Sequence, residues 1–241
     1  MRKESFKAFL KRKDIEFSAK RYGIDALGAM AQGLFASLLI GTILSTIGTQ
    51  FNIAIFNEMG DFAKTVAGSA MAVAIGFALK APPLVLFSLV AVGWAANSLG
   101  GAGGPLAVLL ITIVSAELGK AVSKETKVDI LVTPLTVIIS GARLSHFCAP
   151  AIGVAASYVG NAIMWATEQR PFVMGIIVSV VVGIALTLPI SSAAICAALS
   201  LTGLAGGAAV AGCCAQMIGF AVMSFKENRW GGLLAQGIGT S

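Results

Sequence analysis

The sequence predicts an all-α fold, a polytopic helical membrane protein of about eight spans with broken helices and a re-entrant hairpin. Apolar residues make up 57% of the 241 residues, charged residues only 12%, and the mean hydropathy is +0.89. A soluble domain carries about twice that share of charge. The 28 glycines favour helices that pack closely in lipid, where small residues let backbones approach. This composition excludes a soluble fold.

The first 22 residues predict an amphipathic helix at the membrane interface. Phe6, Phe9, Leu10 and Phe17 fall on one helical arc, and most of the basic residues lie outside it. Such a helix binds an anionic cytoplasmic leaflet, so membrane lipid is an expected partner. A disordered basic tail is the alternative, and the long charged part does not resemble a cleaved signal peptide.

Residues 23–241 predict a single transmembrane domain. Apolar segments, each able to enter a bilayer, occupy 23–48, 63–80, 83–99, 105–121, 129–142, 147–167, 171–188 and 204–224. With the N-terminus in the cytoplasm, 15 of the 17 Lys and Arg residues lie on the inner side, as the positive-inside rule expects. Because the basic residues flank spans, the net charge of +6 does not indicate a nucleic-acid partner.

Some parts of this domain depart from simple spans. Residues 129–142 contain Pro134 and are too short for a full crossing, since a helix rises about 1.5 Å per residue. Residues 189–201 predict a re-entrant hairpin, and residues 50–61 alternate polar and apolar, which favours the outer interface. The apolar, Gly-rich segment that ends at Ser241 leads us to expect that the native chain continues.

The most informative stretch is the break after Leu188. An uncharged apolar run reaches this residue, and Pro189 then leaves Ser191 and Ser192 at mid-membrane depth. Open peptide groups survive there only in protein or beside water, and broken helices form substrate sites in transporters. The two serines would cap a half-helix whose N–H groups face a solute; plain capping after a kink is the alternative.

Other uncharged side chains lie close to Gly-rich breaks and complete the candidate solute site. They are Asn97, Gln216 and Gln236. Amides and hydroxyls of this kind suit a hydroxyl-rich or other neutral polar solute better than an ion.

Ionisable residues within spans are further candidates, because each is costly in hydrocarbon. Glu117 and Lys120 share one helix face, as a functional pair or as a snorkelling surface pair. His146 and Arg143 lie between two short segments, where the histidine is either a proton or phosphate partner or an ordinary interfacial residue. No metal-binding spacing, cofactor motif or hydrolase triad occurs, so the sequence by itself indicates no enzyme.

Three stretches resemble a known family. They are KETKVDILVTPLTVIISG (124–141), GNAIMWATEQRPFVMGIIVSVVVGIALTLPISSAAI (160–195) and GCCAQMIGFAVMSFKENRWGGLLAQGIGTS (212–241). They are similar to enzyme IIC, the membrane component of the phosphotransferase system, and to its short subgroup that includes the perfringolysin-O regulator-type proteins. This resemblance implies a bacterial inner-membrane protein, usually a dimer, that moves a sugar.

In that family a separate soluble subunit phosphorylates the bound sugar through a phosphorylated cysteine. This chain offers no soluble domain, so at most it would be the membrane subunit of a sugar phosphotransferase. The first hypothesis is therefore a carrier acting by alternating access around the break at residues 189–192. The second is a non-transporting sensor or regulator on the same scaffold. A third, an ion or amino-acid carrier, would need a membrane carboxylate, for which only Glu117 is available.

Overall fold

A computed structural model describes residues 6–185, 196, 199 and 201–239. This part of the chain is built from helices and contains no strand, which confirms the predicted all-α class. In chain order the helices are α1 (Phe6–Arg12), α2 (Arg21–Gln50), α3 (Ala54–Thr65), α4 (Ala67–Ala78), α5 (Pro83–Gly100), α6 (Gly104–Val122), α7 (Asp129–Gln169), α8 (Pro171–Ala185), α9 (Gly203–Met223) and α10 (Phe225–Gly239).

Five of these helices are long and apolar enough to cross a bilayer. They are α2, α5, α6, α7 and α9, while α4 and α8 are shorter apolar helices. Large apolar side chains such as Phe77, Phe87 and Phe172 are well exposed on the surface of the chain. Hydroxyl side chains such as Ser115 and Ser145 are instead fully buried. This distribution fits a polytopic protein whose outer surface meets lipid.

The chain divides into two compact units, Met1–Ala155 and Ala156–Ser241. In the first unit α4 packs against the first half of α2 and against α5 and α6, while α3 folds back on the second half of α2. In the second unit α9 packs against α8 and α10. Helix α7 begins in the first unit and ends in the second.

Small residues bring the helices of the first unit close together. A Cβ built at Gly68 of α4 would lie 2.5 Å from the carbonyl oxygen of Gly93 on α5. Any side chain at this crossing would push the two backbones apart, so glycine is required by space rather than by conformation. The prediction of close packing from the glycine content is thus realised at a specific contact.

The helix boundaries differ from the predicted segments in three places. The segments 129–142 and 147–167 are parts of one continuous helix, α7, which accommodates Pro134 and Pro150. Residues 54–65 form a regular helix, α3, and the location of residues 50–61 at the outer interface stays a prediction. Helix α1 ends at Arg12, so Phe17 lies outside the predicted amphipathic stripe. Prolines are tolerated within membrane helices because neighbouring groups satisfy the freed carbonyls, which explains the first difference.

Candidate functional site

The predicted break belongs to a part of the chain that the structure does not describe. Pro189, Ser191 and Ser192 lie outside the described residues, and so does the side chain of Gln236, whose backbone belongs to α10. The site that these residues would form stays a prediction. The other candidate residues lie on described helices.

Asn97 is half buried near the end of α5, where three helices meet. A Cβ built at Gly68 of α4 would lie 2.5 Å from Asn97 Cβ, and one built at Gly104 of α6 would lie 2.6 Å from Asn97 Oδ1. The amide therefore occupies a tight corner beside the Gly-rich turn between α5 and α6. The turn itself contains Gly101 in a left-handed conformation with φ +54°.

Gln216 lies on α9 in the second unit, on the side that packs against α8. A Cβ built at Gly183 of α8 would lie 4.0 Å from Gln216 Cβ. Its Oε1 atom is buried and has no hydrogen-bond partner among the described residues. The surroundings are apolar, with Val178, Val182 and Ala209 forming the local core. An unpaired amide oxygen in such a place is available to a solute or to water.

A layer of buried hydroxyls between α6 and α7 was not predicted from the sequence. Thr112, Ser115 and Ser145 are each 0% exposed, and their hydroxyl oxygens have no hydrogen-bond partner within the described structure. A Cβ built at Gly141 of α7 would lie 3.0 Å from Ser115 Oγ, and one at Gly119 of α6 would lie 2.6 Å from Val137 Cγ2. These two contacts set an antiparallel register that brings Ser145 to the level of Thr112.

A second polar surface lies on α2 and was also missed. A cleft of about 260 Å³ is lined by Thr42, Ser45, Thr46, Thr49, Gln50 and Lys64. The threonine hydroxyls donate to carbonyl oxygens four residues earlier, at 2.8 Å, so each keeps its lone pairs for a further donor. These hydroxyl residues recur every three to four positions in the sequence, which places them on one face of a helix, so the polar surface could have been predicted from the sequence.

Within the described residues, Arg143 and His146 join none of the other candidates. Both are exposed on α7, whereas Ser145 between them is buried. The His146 ring makes an edge-to-face contact with Phe147, with centroids 5.6 Å apart. The histidine therefore meets an aromatic ring and no carboxylate among the described residues, and its predicted proton or phosphate role stays a prediction.

Glu117 and Lys120 are not a surface pair; they lie in a buried network. The Lys120 side chain is 1% exposed, and its Nζ lies 3.1 Å from Glu117 Oε2. The same ammonium donates to the carbonyl oxygens of Asp14, at 2.6 Å, and of Leu79, at 3.1 Å. Tyr22 donates its hydroxyl to Glu117 Oε1 at 3.1 Å. The surface-pair alternative was wrong because α6 is covered by the N-terminal segment at this point.

Arg21, the first residue of α2, links the side chain of Asp14 in the N-terminal segment to this network. Its guanidinium donates to Asp14 Oδ2 and to the carbonyl oxygen of Leu79, both at 2.8 Å. The hydrogen bond and charge of Arg21 hold the pKa of Asp14 below its ordinary value of 3.8. We call Asp14, Arg21, Glu117 and Lys120 the charged cluster. It ties the segment before α2 to α6 and to the end of α4.

Most of the buried polar atoms that lack a hydrogen-bond partner in the described part of the chain are uncharged. The unpaired buried groups are mostly hydroxyl and amide oxygens, and the buried carboxylate of Glu117 lies against an ammonium. Within the described residues no three His, Cys, Asp or Glu side chains come together as a metal site would require. The cysteines in this part of the chain are free thiols.

Comparison with protein-family models gives a match over most of the chain. None of the curated proteins and none of the solved structures matches the chain. The family model described as phosphotransferase system, EIIC, matches residues 24–241, which is nearly the whole chain and covers all or most of each candidate membrane-spanning helix found in the described residues. The protein with these buried hydroxyls and this charged cluster belongs to the phosphotransferase system EIIC family.

Proposed function

We propose that this membrane transport subunit translocates a sugar or a similar small polar solute by alternating access around the Pro189–Ser192 break. Family membership over residues 24–241 supports a phosphotransferase-type transport subunit in the membrane. A sugar offers many hydroxyl groups and no net charge, so it requires a path lined by neutral donors and acceptors.

The observation that carries this proposal is the set of unpaired oxygens inside the helical units. Thr112, Ser115 and Ser145 in one unit and Gln216 in the other are buried without partners among the described residues. Leaving such a group unsatisfied costs about 1–3 kcal/mol, so several of them together favour a role in binding solute or water. The hydroxyl face of α2 supplies further acceptors of the same neutral kind.

The charged cluster argues against the ion-carrier hypothesis. A secondary carrier for ions or amino acids would use an intramembrane carboxylate that a substrate cation or proton can reach. Glu117 is the candidate, and its two oxygens contact Lys120 and Tyr22. Its charge is therefore already balanced within the protein, and the neutral-solute hypothesis is favoured.

The proposal includes the partners and the orientation that the family implies. A separate soluble subunit would transfer phosphate to the solute, since this chain is the translocating part, and the working assembly would be a dimer. Arg12, Lys13, Lys80, Lys120 and Lys124 line one cleft at one end of the first unit. The positive-inside rule assigns that end, and with it the N-terminus, to the cytoplasm of a bacterial cell.

Binding of sugars by the purified protein tests the proposal. Glucose, mannitol, galactitol and N-acetylglucosamine are added to the protein in detergent, and the shift in melting temperature is measured. We expect at least one sugar to stabilise the wild type, and Ser191→Leu to abolish that shift. The exposed Ser98 provides a matched control, since Ser98→Leu makes the same substitution at a serine outside residues 189–192. A full response from Ser191→Leu would contradict the proposed site. No response to any of the four sugars would favour a sensor or regulator.

A further inference from the structure

A basic cleft lies where the N-terminal segment meets the first helical unit. Its volume is about 280 Å³ and it is lined by Arg12, Lys13, Asp14, Lys80, Pro82, Lys120, Ser123 and Lys124. Three chain segments contribute: the segment after α1, the connection between α4 and α5, and the connection between α6 and α7. We call these residues the basic cleft.

The three segments are fixed to one another by hydrogen bonds and ion pairs. Lys120 of α6 donates to the carbonyl oxygens of Asp14 and Leu79, and Lys13 donates to the carbonyl oxygen of Ser123. Lys13 also lies 2.5 Å from Glu125 Oε1. The walls of the cleft are therefore held in place without a ligand.

The cleft has more positive than negative charge after every ion pair is counted. Asp14 contacts Arg21, Glu117 contacts Lys120, and Glu125 contacts both Arg12 and Lys13. Two further carboxylates lie nearby: Glu16, 3.9 Å from Arg21, and Asp129, whose Oδ1 accepts from the backbone N–H of Lys124 at 2.7 Å.

Two cations remain beyond these pairs. The side chains of Lys80 and Lys124 are exposed and make no ion pair within the described part of the chain. They belong to two different connections, so they approach the cleft from different elements.

The backbone supports a role for these side chains. Asp14, Lys80 and Lys124 adopt left-handed conformations, with φ of 53°, 56° and 62°. Only five non-glycine residues in the described chain do so, and three of them line this cleft. Each follows a helix end, a position at which glycine would be less strained. Strain concentrated at one cleft is a mark of a functional site.

We propose that the basic cleft binds a phosphate group, carried either by the headgroup of an anionic phospholipid or by a soluble phosphate. A phosphate presents several acceptor oxygens and up to two negative charges, which suits ammonium groups that converge from separate elements. The exposed ammonium groups of Lys80 and Lys124 would contact the phosphate. Lys13 and Lys120, whose ammonium groups already contact acceptors of the chain, hold the walls of the cleft. This site is separate from the hydroxyl groups proposed to bind sugar.

The test measures phosphate binding by the full chain without any sugar. One arm titrates inorganic phosphate into the protein in a neutral detergent and follows heat release and melting temperature. The other arm places the protein in nanodiscs of phosphatidylcholine with or without phosphatidylglycerol and measures the stability and the lipid retained on extraction. Binding in the first arm assigns a soluble phosphate, and a phosphatidylglycerol-dependent effect in the second assigns a headgroup.

The decisive variant removes the two unpaired cations. Lys80→Asn and Lys124→Asn are combined, because asparagine tolerates the left-handed conformation better than other uncharged residues. The matched control combines Lys127→Asn with Lys226→Asn, which removes two exposed charges that do not line the cleft. We expect the cleft variant to bind phosphate about tenfold more weakly, which is the loss expected when two solvent-exposed charge–charge contacts are removed. The control should stay close to the wild type.

The proposal is overturned by either of two results. One is a wild type that binds neither inorganic phosphate nor phosphatidylglycerol. The other is an equal loss of affinity in the two double variants, which would indicate a general charge effect. Neither result depends on sugar transport, so this test fails or succeeds separately from the proposed function. Because both lysines are exposed, size-exclusion profile and helical content serve to confirm that the variants fold.

Discussion

Replacement of Lys120 by methionine perturbs the charged cluster while nearly preserving the volume of the side chain. In the wild type the ammonium contacts Glu117 Oε2 and the carbonyl oxygens of Asp14 and Leu79. Leu79 keeps its hydrogen bond from Arg21, and Glu117 keeps that from Tyr22. Lys120→Met therefore leaves the carbonyl oxygen of Asp14 without this donor and the buried carboxylate of Glu117 without this counter-charge.

The expected cost is set by the stranded carboxylate. Removing one partner of a buried ion pair lowers the free energy of unfolding by about 3–5 kcal/mol, because the remaining charge is left uncompensated. Glu117→Gln leaves the Lys120 ammonium without its counter-charge, but that ammonium keeps two carbonyl acceptors and Tyr22 keeps an acceptor on the glutamine, so we expect a smaller loss of about 1–2 kcal/mol. The double variant should lose less than the sum of the two, with a coupling of about 1–3 kcal/mol.

The free energy of unfolding is measured by titrating SDS into mixed micelles and following helical content. Lys127→Met provides the control, since Lys127 is exposed and its replacement should change stability by less than about 0.5 kcal/mol. The reasoning is refuted if Lys120→Met is as stable as this control, or if the effects of Lys120→Met and Glu117→Gln simply add.

Two further perturbations have defined outcomes. Arg21 lowers the pKa of Asp14, so the stabilisation from this carboxylate is complete above its ordinary value of 3.8 and is lost as the pH falls through the lowered value. The melting temperature of the wild type should therefore exceed that of Asp14→Asn at pH 7, and the gap should narrow below pH 3.8; a gap independent of pH would contradict this. Gly141→Ala would place a Cβ 2.7 Å from Val92 Cγ1, and overpacking of this kind costs about 1–3 kcal/mol. Gly207→Ala meets nothing within 4 Å and should leave the melting temperature unchanged or raised, so equal losses from the two alanines would count against the packing described.

The membrane helices in the middle of the chain could be predicted closely from the sequence. The predicted segments 83–99 and 105–121 correspond to α5 and α6, each of which begins with a proline in its first turn. Proline suits that position because its fixed φ is already helical. The Gly-rich turn then separates two apolar runs of the right length, so the local signals agree.

The continuity of α7 could not be predicted in this way. Pro134 and Pro150 both indicate a break when only local preference is considered, yet both lie inside one helix. In membrane proteins, groups of neighbouring helices can satisfy the backbone groups that a proline frees, and their positions are a property of the fold rather than of the segment. The same limit applies to Pro189, where the predicted break lies outside the described residues.

The candidate solute site stays a prediction, and the structure adds details that the sequence did not indicate. Among the predicted amides, Gln216 carries a buried oxygen that has no hydrogen-bond partner within the described residues. The hydroxyl layer was missed because it requires the register between α6 and α7, which the sequence does not state. The burial of Lys120 was missed for a similar reason, since its carbonyl partners Asp14 and Leu79 lie 106 and 41 residues away in the chain.

Sugar counterflow in proteoliposomes tests the transport account most directly, because it needs no phosphorelay subunit. The protein is reconstituted with an unlabelled sugar inside the vesicles, and uptake of the same labelled sugar from outside is followed over time. The account predicts transient accumulation with at least one of the four sugars named above, lost in Ser191→Leu and retained in Ser98→Leu. Flat uptake with all four sugars, equal to that of protein-free vesicles, would contradict it.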